Sequence, residues 1–484
     1  MTVKTLLIDF GSTFTKVVAV AAGSATVLGR ADAPTTVEAG LQVGLQDAVS
    51  RLDGSLADFG SYERKLACSS AAGGLRMVAV GLVPELTAEA ARRAALGAGA
   101  RVAGVYAYRI GADQISEIEG LKPDMLLLAG GTDGGNREIL LDNARSLADS
   151  SLTAPVVIAG NQDVAEDAAR VLRQSGIEAR VTANVMPRLH ELQAGPARAA
   201  IRDLFMRHIV GAKGFDAVAR LLDGILMPTP AAVLRAARLL ADGAEGEGGI
   251  GPLLVVDVGG ATTDIHSITS GRPTEPGIQM RGLSEPYAKR TVEADLGMRH
   301  SAPSLMELAG SGRILTALAL EAGEAGRQPS EKMVKQSIGL LAARPDHVPE
   351  DPPGRALDLA LAAVAAAVGL RRHAGRLREV PGPFGNLRIQ EGKDLRDVKR
   401  VIGTGGVFRA MPAGSAKQFP TTVAQLVRGM EERYDGQETG CRPPLLPDDW
   451  NLTIDRHYLL SAMGLLAEVE PRPAIQVLKR YLDV

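Results

Sequence analysis

Cysteine is almost missing from this chain of 484 residues: Cys68 and Cys441 stand far apart, with no CxxC pair and no companion histidine spacing. A zinc or iron–sulfur site within one chain is therefore poorly supported. Aromatic residues make up only 3% of the sequence, which argues against a base-stacking surface. The formal net charge of −2 gives no long-range pull toward DNA, RNA or an anionic membrane. The start, MTVKTLLIDF, has no basic segment, long apolar stretch or cleavage site of a signal peptide. The most apolar helical segment, 356–370, is interrupted by Asp358 and reads as too short to span a bilayer. There is no GxxxxGK[ST] phosphate loop, and the DFG at 9–11 lacks the preceding glycine loop, lysine strand and HRD segment of a protein kinase. A reduced cytoplasmic protein of two or three domains, with no nucleic acid or membrane partner, is the expectation.

What is present is a repeat. Residues 6–18 read LLIDFGSTFTKVV and residues 254–268 read LVVDVGGATTDIHSI; a shift of 248 positions lays Asp9 on Asp257, Gly11 on Gly259, Thr15 on Thr263 and Val17 on Ile265. Each copy is an apolar strand, an Asp, a glycine turn and a returning strand. The glycines let backbone N–H groups approach an anion, hydroxyls add donors, and an Asp at the strand end can hold a hydrated divalent cation. Asp9 and Asp257 are thus candidates for Mg²⁺ through water. Gly11, Ser12, Thr13, Thr15, Lys16, Gly259, Gly260, Thr262 and Thr263 are candidates for the phosphate side. Against this, either Asp could simply cap a turn, and one or two of the hydroxyls could pack inward. A third loop, VIGTGGVF at 401–408, runs a short strand into Gly403, Gly405 and Gly406 and suits close contact with a base, ribose or phosphate.

Between the two hairpins, a polar connector at 31–60 leads into strand-like runs at 77–83, 100–108, 124–131, 154–161 and 178–187, alternating with helix-like stretches. That alternation predicts a parallel sheet covered on both faces. Residues 60–200, about, read as an inserted or elaborated α/β unit within a first half ending near 250; the second half runs 251–484. Residues 196–242 read as helical, with Thr229 as N-cap and Pro230 at the first helical position. AGGTDGGN at 129–136 fits either an anion site at a helix terminus or a glycine turn at a sheet end. DIHSITSG at 264–271 looks like a DxHxxG cobalamin motif, but Thr269 stands where the glycine is required.

The order of the three glycine elements resembles the actin, Hsp70 and sugar-kinase superfamily, with phosphate-1, phosphate-2 and adenosine loops in sequence. The resemblance implies an α/β fold of two actin-like, RNase H-like halves around a cleft for ATP or ADP with Mg²⁺. It also implies that Asp264 holds the metal's water shell or the attacking water, beside Asp9 and Asp257. Ala261 departs from that pattern, standing where Hsp70-like sequences have a third glycine. The strings LLIDFGSTFTKVVAV, LLLAGGTDGGN, VVIAGN, ANVMPRLHEL, VVDVGGATTDIHSI, GTGGVF and DRHYLLSAMGLLAE closely resemble, over nearly the whole chain, the MutL/GlmL family associated with cobalamin-dependent glutamate mutase. That family is unrelated to the DNA-repair protein of the same short name. It implies an accessory ATPase acting as a reactivating chaperone on cobalamin-dependent mutase subunits, with homo-oligomerisation left open. Alternatives are a small-molecule kinase, an iron–sulfur activator of 2-hydroxyacyl-CoA dehydratases, and a scaffold that binds nucleotide without hydrolysis.

Overall fold

A computed structural model describes residues 4–484 apart from 37–38, 71–74, 213–217, 219, 323–328, 383–384 and 432–440. Two five-stranded sheets share one topology. The first holds β1 (Lys4–Phe10), β2 (Phe14–Ala21), β3 (Thr26–Pro34), β4 (Arg64–Ser69) and β10 (Gly224–Pro228) in the order β10-β4-β1-β2-β3. The second holds β13 (Leu253–Val258), β14 (Thr263–Ile268), β16 (Ala288–Glu293), β19 (Arg400–Thr404) and β21 (Asn451–Ile454) in the order β16-β14-β13-β19-β21. In each, three antiparallel strands are followed by two parallel ones. These are the two RNase H-like halves of the actin-like fold. Beside the second sheet, β11 (Gly243–Ala244) pairs with β12 (Glu247–Gly248), and β15 (Ile278–Arg281), β17 (Arg376–Gly382), β18 (Gly385–Glu391) and β20 (Cys441–Pro444) form a four-stranded sheet.

The helices Thr229–Asp242 and Leu459–Leu466 lie between the sheets and share a core with Leu7, Val18, Leu253, Val255 and Ile402. Their backbones come so close that a Cβ on Gly464 would overlap the carbonyl of Ala232. Glycine is required at that crossing.

A third five-stranded sheet, wholly parallel, interrupts the first half: β5 (Arg76–Gly81), β6 (Arg101–Ala107), β7 (Met125–Leu128), β8 (Val156–Ile158) and β9 (Ala179–Val181), in the order β6-β5-β7-β8-β9. Its central strands β5, β7 and β8 are apolar and buried because helices cover both faces, and this doubly wound order leaves β6, which has no buried residue, as an edge. The loop at 129–136 is closed on itself. The Asn161 side chain donates to the carbonyls of Gly135 and Asn136, and Asn184 donates to Gly131 O and to the Asp133 carboxylate. Those bonds favour the turn reading over an anion site.

Several expectations change. The connector at 31–60 contains the end of β3 and the helix Leu41–Ser50; Arg30 and Asp32 of the RADAP run are half-buried, and Asp32 pairs with Arg409 from the second half of the chain. The helical stretch 196–242 is broken by β10, whose short GILMP run has no period long enough to read. The helix after it begins at Thr229, with Pro228 in the cap position, so Thr229 is not an N-cap. The apolar segment at 356–370 belongs to a longer helix, Pro352–His373. By length and composition it is, among the described residues, the one helix that could cross a membrane, yet 72% of its apolar window is buried inside the protein.

Candidate functional site

The two hairpins make the same turn. The Gly11 N–H donates to Phe14 O at 3.1 Å, and the Gly259 N–H donates to Thr262 O at 2.9 Å. A Cβ on Gly11 would lie 2.6 Å from Phe14 O, and one on Gly259 3.0 Å from Thr262 O. The first turn is therefore tighter than a side chain allows, and the second leaves a side chain only a crowded fit. They face each other: a Cβ on Gly260 would stand 3.1 Å from the Thr13 hydroxyl. The loop keeps this geometry with Ala261 in place of a glycine, its carbonyl accepting from Ser301 Oγ at 2.8 Å.

One cleft is lined by Asp9, Gly11, Ser12, Thr13, Lys16, Asp257, Gly259, Gly260, Thr262, Asp264 and Gly406. Thr15 and Thr263 are not among these residues, a correction to the sequence reading. The Thr15 hydroxyl pairs with Thr35 at 3.1 Å, and the Thr263 hydroxyl donates to Leu296 O at 2.7 Å, both fully buried. Strand alternation turns them away from the turn's mouth. Gly403 and Gly405 also fall outside the lining. Gly403 packs against the Phe408 ring, while Gly405 holds φ +117° with its α-carbon against the Val258 carbonyl, fitting the third loop to β13. Thr404 faces the cleft instead.

Asp9 is buried and accepts from the Thr229 hydroxyl at 2.6 Å, with the Cys68 thiol at 3.6 Å and the Lys16 ammonium at 3.7 Å. Cys68 is wholly buried there, and burial next to Asp9 pushes its thiol well up, so it offers no bridge to a cluster on the surface. The Cys441 side chain lies outside the described residues. Lys16 also sits 3.8 Å over the ring of Tyr458, a half-buried residue held at φ +57°. Burial opposes its charge, but Tyr458, Asp9 and Asp257 raise its ammonium above the usual lysine range. Asp257 is pushed up to about 7, by burial first and then by Asp264. Asp264 is raised by burial against the opposing pull of Arg290, which donates Nε to Oδ1 at 2.8 Å.

Among the described residues no group of three or more His, Cys, Asp or Glu is arranged to hold a metal. A divalent ion here would rest on Asp9 and Asp257 with water and phosphate oxygens filling the rest, as suits Mg²⁺. The residues fit such a guest. Burial, and then the neighbouring Asp264, raise the Asp257 carboxyl to about 7, which a bound cation would relieve, and the buried Thr13 hydroxyl has no hydrogen-bond partner. Thr229, Tyr458, Arg290 and the Arg299–Asp358 fork, with its bonds of 2.9 and 2.7 Å, were missed from the sequence. None carries a local motif; Asp358 read only as a blemish in an apolar helix.

The sequence profile of the MutL protein family matches residues 5–482. The chain belongs to the MutL family. It is 45% identical to the protein MutL of Clostridium tetanomorphum, across 99% of this chain and 98% of that one. Among solved structures, nucleotide-free acetone carboxylase, from work on ATP-dependent acetone carboxylation, aligns with 96% of this chain and 70% of its own at 15% identity and a TM-score of 0.38. The ATP-dependent caprolactamase from Pseudomonas jessenii aligns with 87% and 67% at 16% identity and a TM-score of 0.35. These superpositions are loose, and it is the two sheets and the cleft of this MutL family member itself that define its fold.

Proposed function

We propose that this chain is an ATP-dependent accessory protein that reactivates a cobalamin-dependent mutase, with glutamate mutase as the first client to test. The observation that carries the nucleotide part is the pair of matching glycine turns facing one another, with Asp9, Asp257 and Asp264 between them. In this reading the backbone N–H groups and the Ser12, Thr13 and Thr262 hydroxyls hold phosphate oxygens, and Lys16 adds a positive charge. Asp9 and Asp257 orient the water shell of Mg²⁺, which supplies charge neutralisation at the transferred phosphoryl group. Asp264, which accepts from Arg290, would orient an attacking water. Membership in the MutL family over nearly the whole chain supports the mutase as client. The inserted sheet is the part of the chain left to dock it.

Purified chain would be assayed for ATP hydrolysis with and without glutamate mutase inactivated by damaged cofactor, while recovery of mutase activity is followed. Recovery that requires hydrolysable ATP is the expected result. ATP binding with no recovery across several cobalamin mutases would reject the mutase role and turn the search to small-molecule phosphoryl acceptors.

A further inference from the structure

The inserted unit touches the cleft from behind at one turn. The helix Glu89–Gly97 ends in Ala98, Gly99 and Ala100, and β6 begins at the next residue. Arg290, on β16, reaches this turn from one side. Its side chain is 2% exposed and all of its charge is used: Nε and Nη2 lie 2.8 and 2.7 Å from Asp264 Oδ1, while Nη1 donates to Ala100 O at 2.8 Å and to Leu96 O at 3.2 Å. The carbonyls at the end of a helix attract a cation, so the guanidinium is shared between the cleft carboxylate and the inserted helix. From the other side, Gly99, at φ +92°, has room only for hydrogen: a Cβ would stand 2.8 Å from Pro228 and 3.1 Å from Ala231. Pro228 directly precedes Thr229, whose hydroxyl holds Asp9. The same short turn therefore backs both Asp264 and the partner of Asp9.

We propose that Arg290 and the turn 98–100 couple the cleft to the inserted sheet, so that cleft occupancy changes the docking of the helix Glu89–Gly97 and a load on the inserted sheet changes affinity in the cleft. The coupling rests on the nucleotide reading given above. Its physical basis is that Asp264 presents Oδ1 to Arg290 and Oδ2 to Thr262 on the cleft side. A guest that shifts the carboxylate either pulls the guanidinium against the carbonyls of Leu96 and Ala100 or breaks its bonds to Asp264. In the coupled case the load falls on the turn that leads directly into β6, the edge strand. Coupling of this kind is reciprocal. Arg290 acts through Asp264 and is a positioning residue.

Hydrogen exchange of the full chain, with and without a non-hydrolysable ATP analogue and Mg²⁺, reads the coupling directly. In the wild type, residues 89–107 should change exchange rate on nucleotide addition by at least about fivefold. Arg290→Lys can still face Asp264 but cannot fork to both carbonyls. At analogue concentrations that saturate this variant, the response at 89–107 should be lost, and a response kept at the wild-type size would overturn the coupling. Arg93→Ala offers a second route that leaves the cleft intact. Arg93 ties the inserted helix to Glu285 Oε1 and Ser284 O, each at 2.8 Å, so its loss should shift analogue affinity at least about fivefold. A wild type that binds nucleotide while 89–107 stay silent would overturn the coupling alone. So would an Arg93→Ala variant with unchanged affinity, which decides the matter if Arg290→Lys does not fold. A wild type that binds no nucleotide would remove the proposed function and the coupling together.

Discussion

The two hairpins differ where their backbones agree most. Asp9 faces Lys16 across the β1–β2 ladder, whereas Asp257 faces Asp264 at the equivalent rung of β13–β14. One turn thus carries its own countercharge, and the other sets two carboxylates side by side. Asp264 is answered from outside the hairpin by Arg290, but Asp257 is raised to about 7 by burial and by Asp264, with only Lys16 of the opposite half pulling the other way. A duplicated scaffold has become an asymmetric site. The first turn is suited to holding phosphate charge, and the second to recruiting a cation.

The largest expected effect comes from breaking either half of that pair. Asp9→Ala and Asp257→Ala should each lower Mg²⁺-dependent ATP turnover by at least about 100-fold, on the scale of losing a preorganised charge contact, with circular dichroism unchanged. Steady-state assays at saturating ATP check this, and wild-type-like turnover in both would remove the site assignment. Next in size is the third loop. Gly405→Ala places a methyl against the Val258 carbonyl at a φ that side chains avoid, and should destabilise the chain by about 2–4 kcal/mol, read by chemical denaturation.

The pH dependence sharpens the comparison further. Asp257 must lose its proton to serve a cation, so below about 7 the apparent Mg²⁺ affinity should fall, by up to about tenfold per pH unit. For stability the sign is opposite. Between the ordinary carboxylate range and about 7, the folded chain keeps a proton that the unfolded chain releases, so the Asp257 contribution to stability declines as pH rises through that window. Asp264→Asn removes the repelling neighbour and should move the midpoint of Mg²⁺ binding to lower pH, measured by calorimetric titration between pH 5.5 and 8. The smallest effect is reserved for Tyr458→Phe, which keeps the ring under the Lys16 ammonium and should change nucleotide affinity by less than about threefold. A change of tenfold or more would show that the phenol oxygen, not the ring, matters.

The hairpins were legible in the sequence because each is local. An apolar strand, an Asp and a glycine turn lie within about a dozen residues, and period-2 alternation marks the return. The parallel strands of the insert were legible for the same reason, as unbroken apolar runs between helices. What stayed hidden is what the chain assembles from afar. β16, reading AKRTVE, looks like a solvated segment, yet Arg290 points inward to Asp264 because the buried carboxylate needs a partner. Thr229 looked like a cap, and only the fold brings it to Asp9, 220 residues earlier in the chain. Thr15 and Thr263 share the motif but face the core, a distinction of one step in strand register that composition does not carry.

The most direct test of the central claim, that the two unlike hairpins together clamp a magnesium nucleotide, is ATP binding by calorimetry with and without Mg²⁺, in the wild type and in Asp257→Asn. Mg²⁺ should tighten binding by at least about tenfold in the wild type, and Asp257→Asn should bind ATP with that gain abolished. Binding that ignores Mg²⁺ in the wild type, or an Asp257→Asn variant that keeps the full gain, would contradict it.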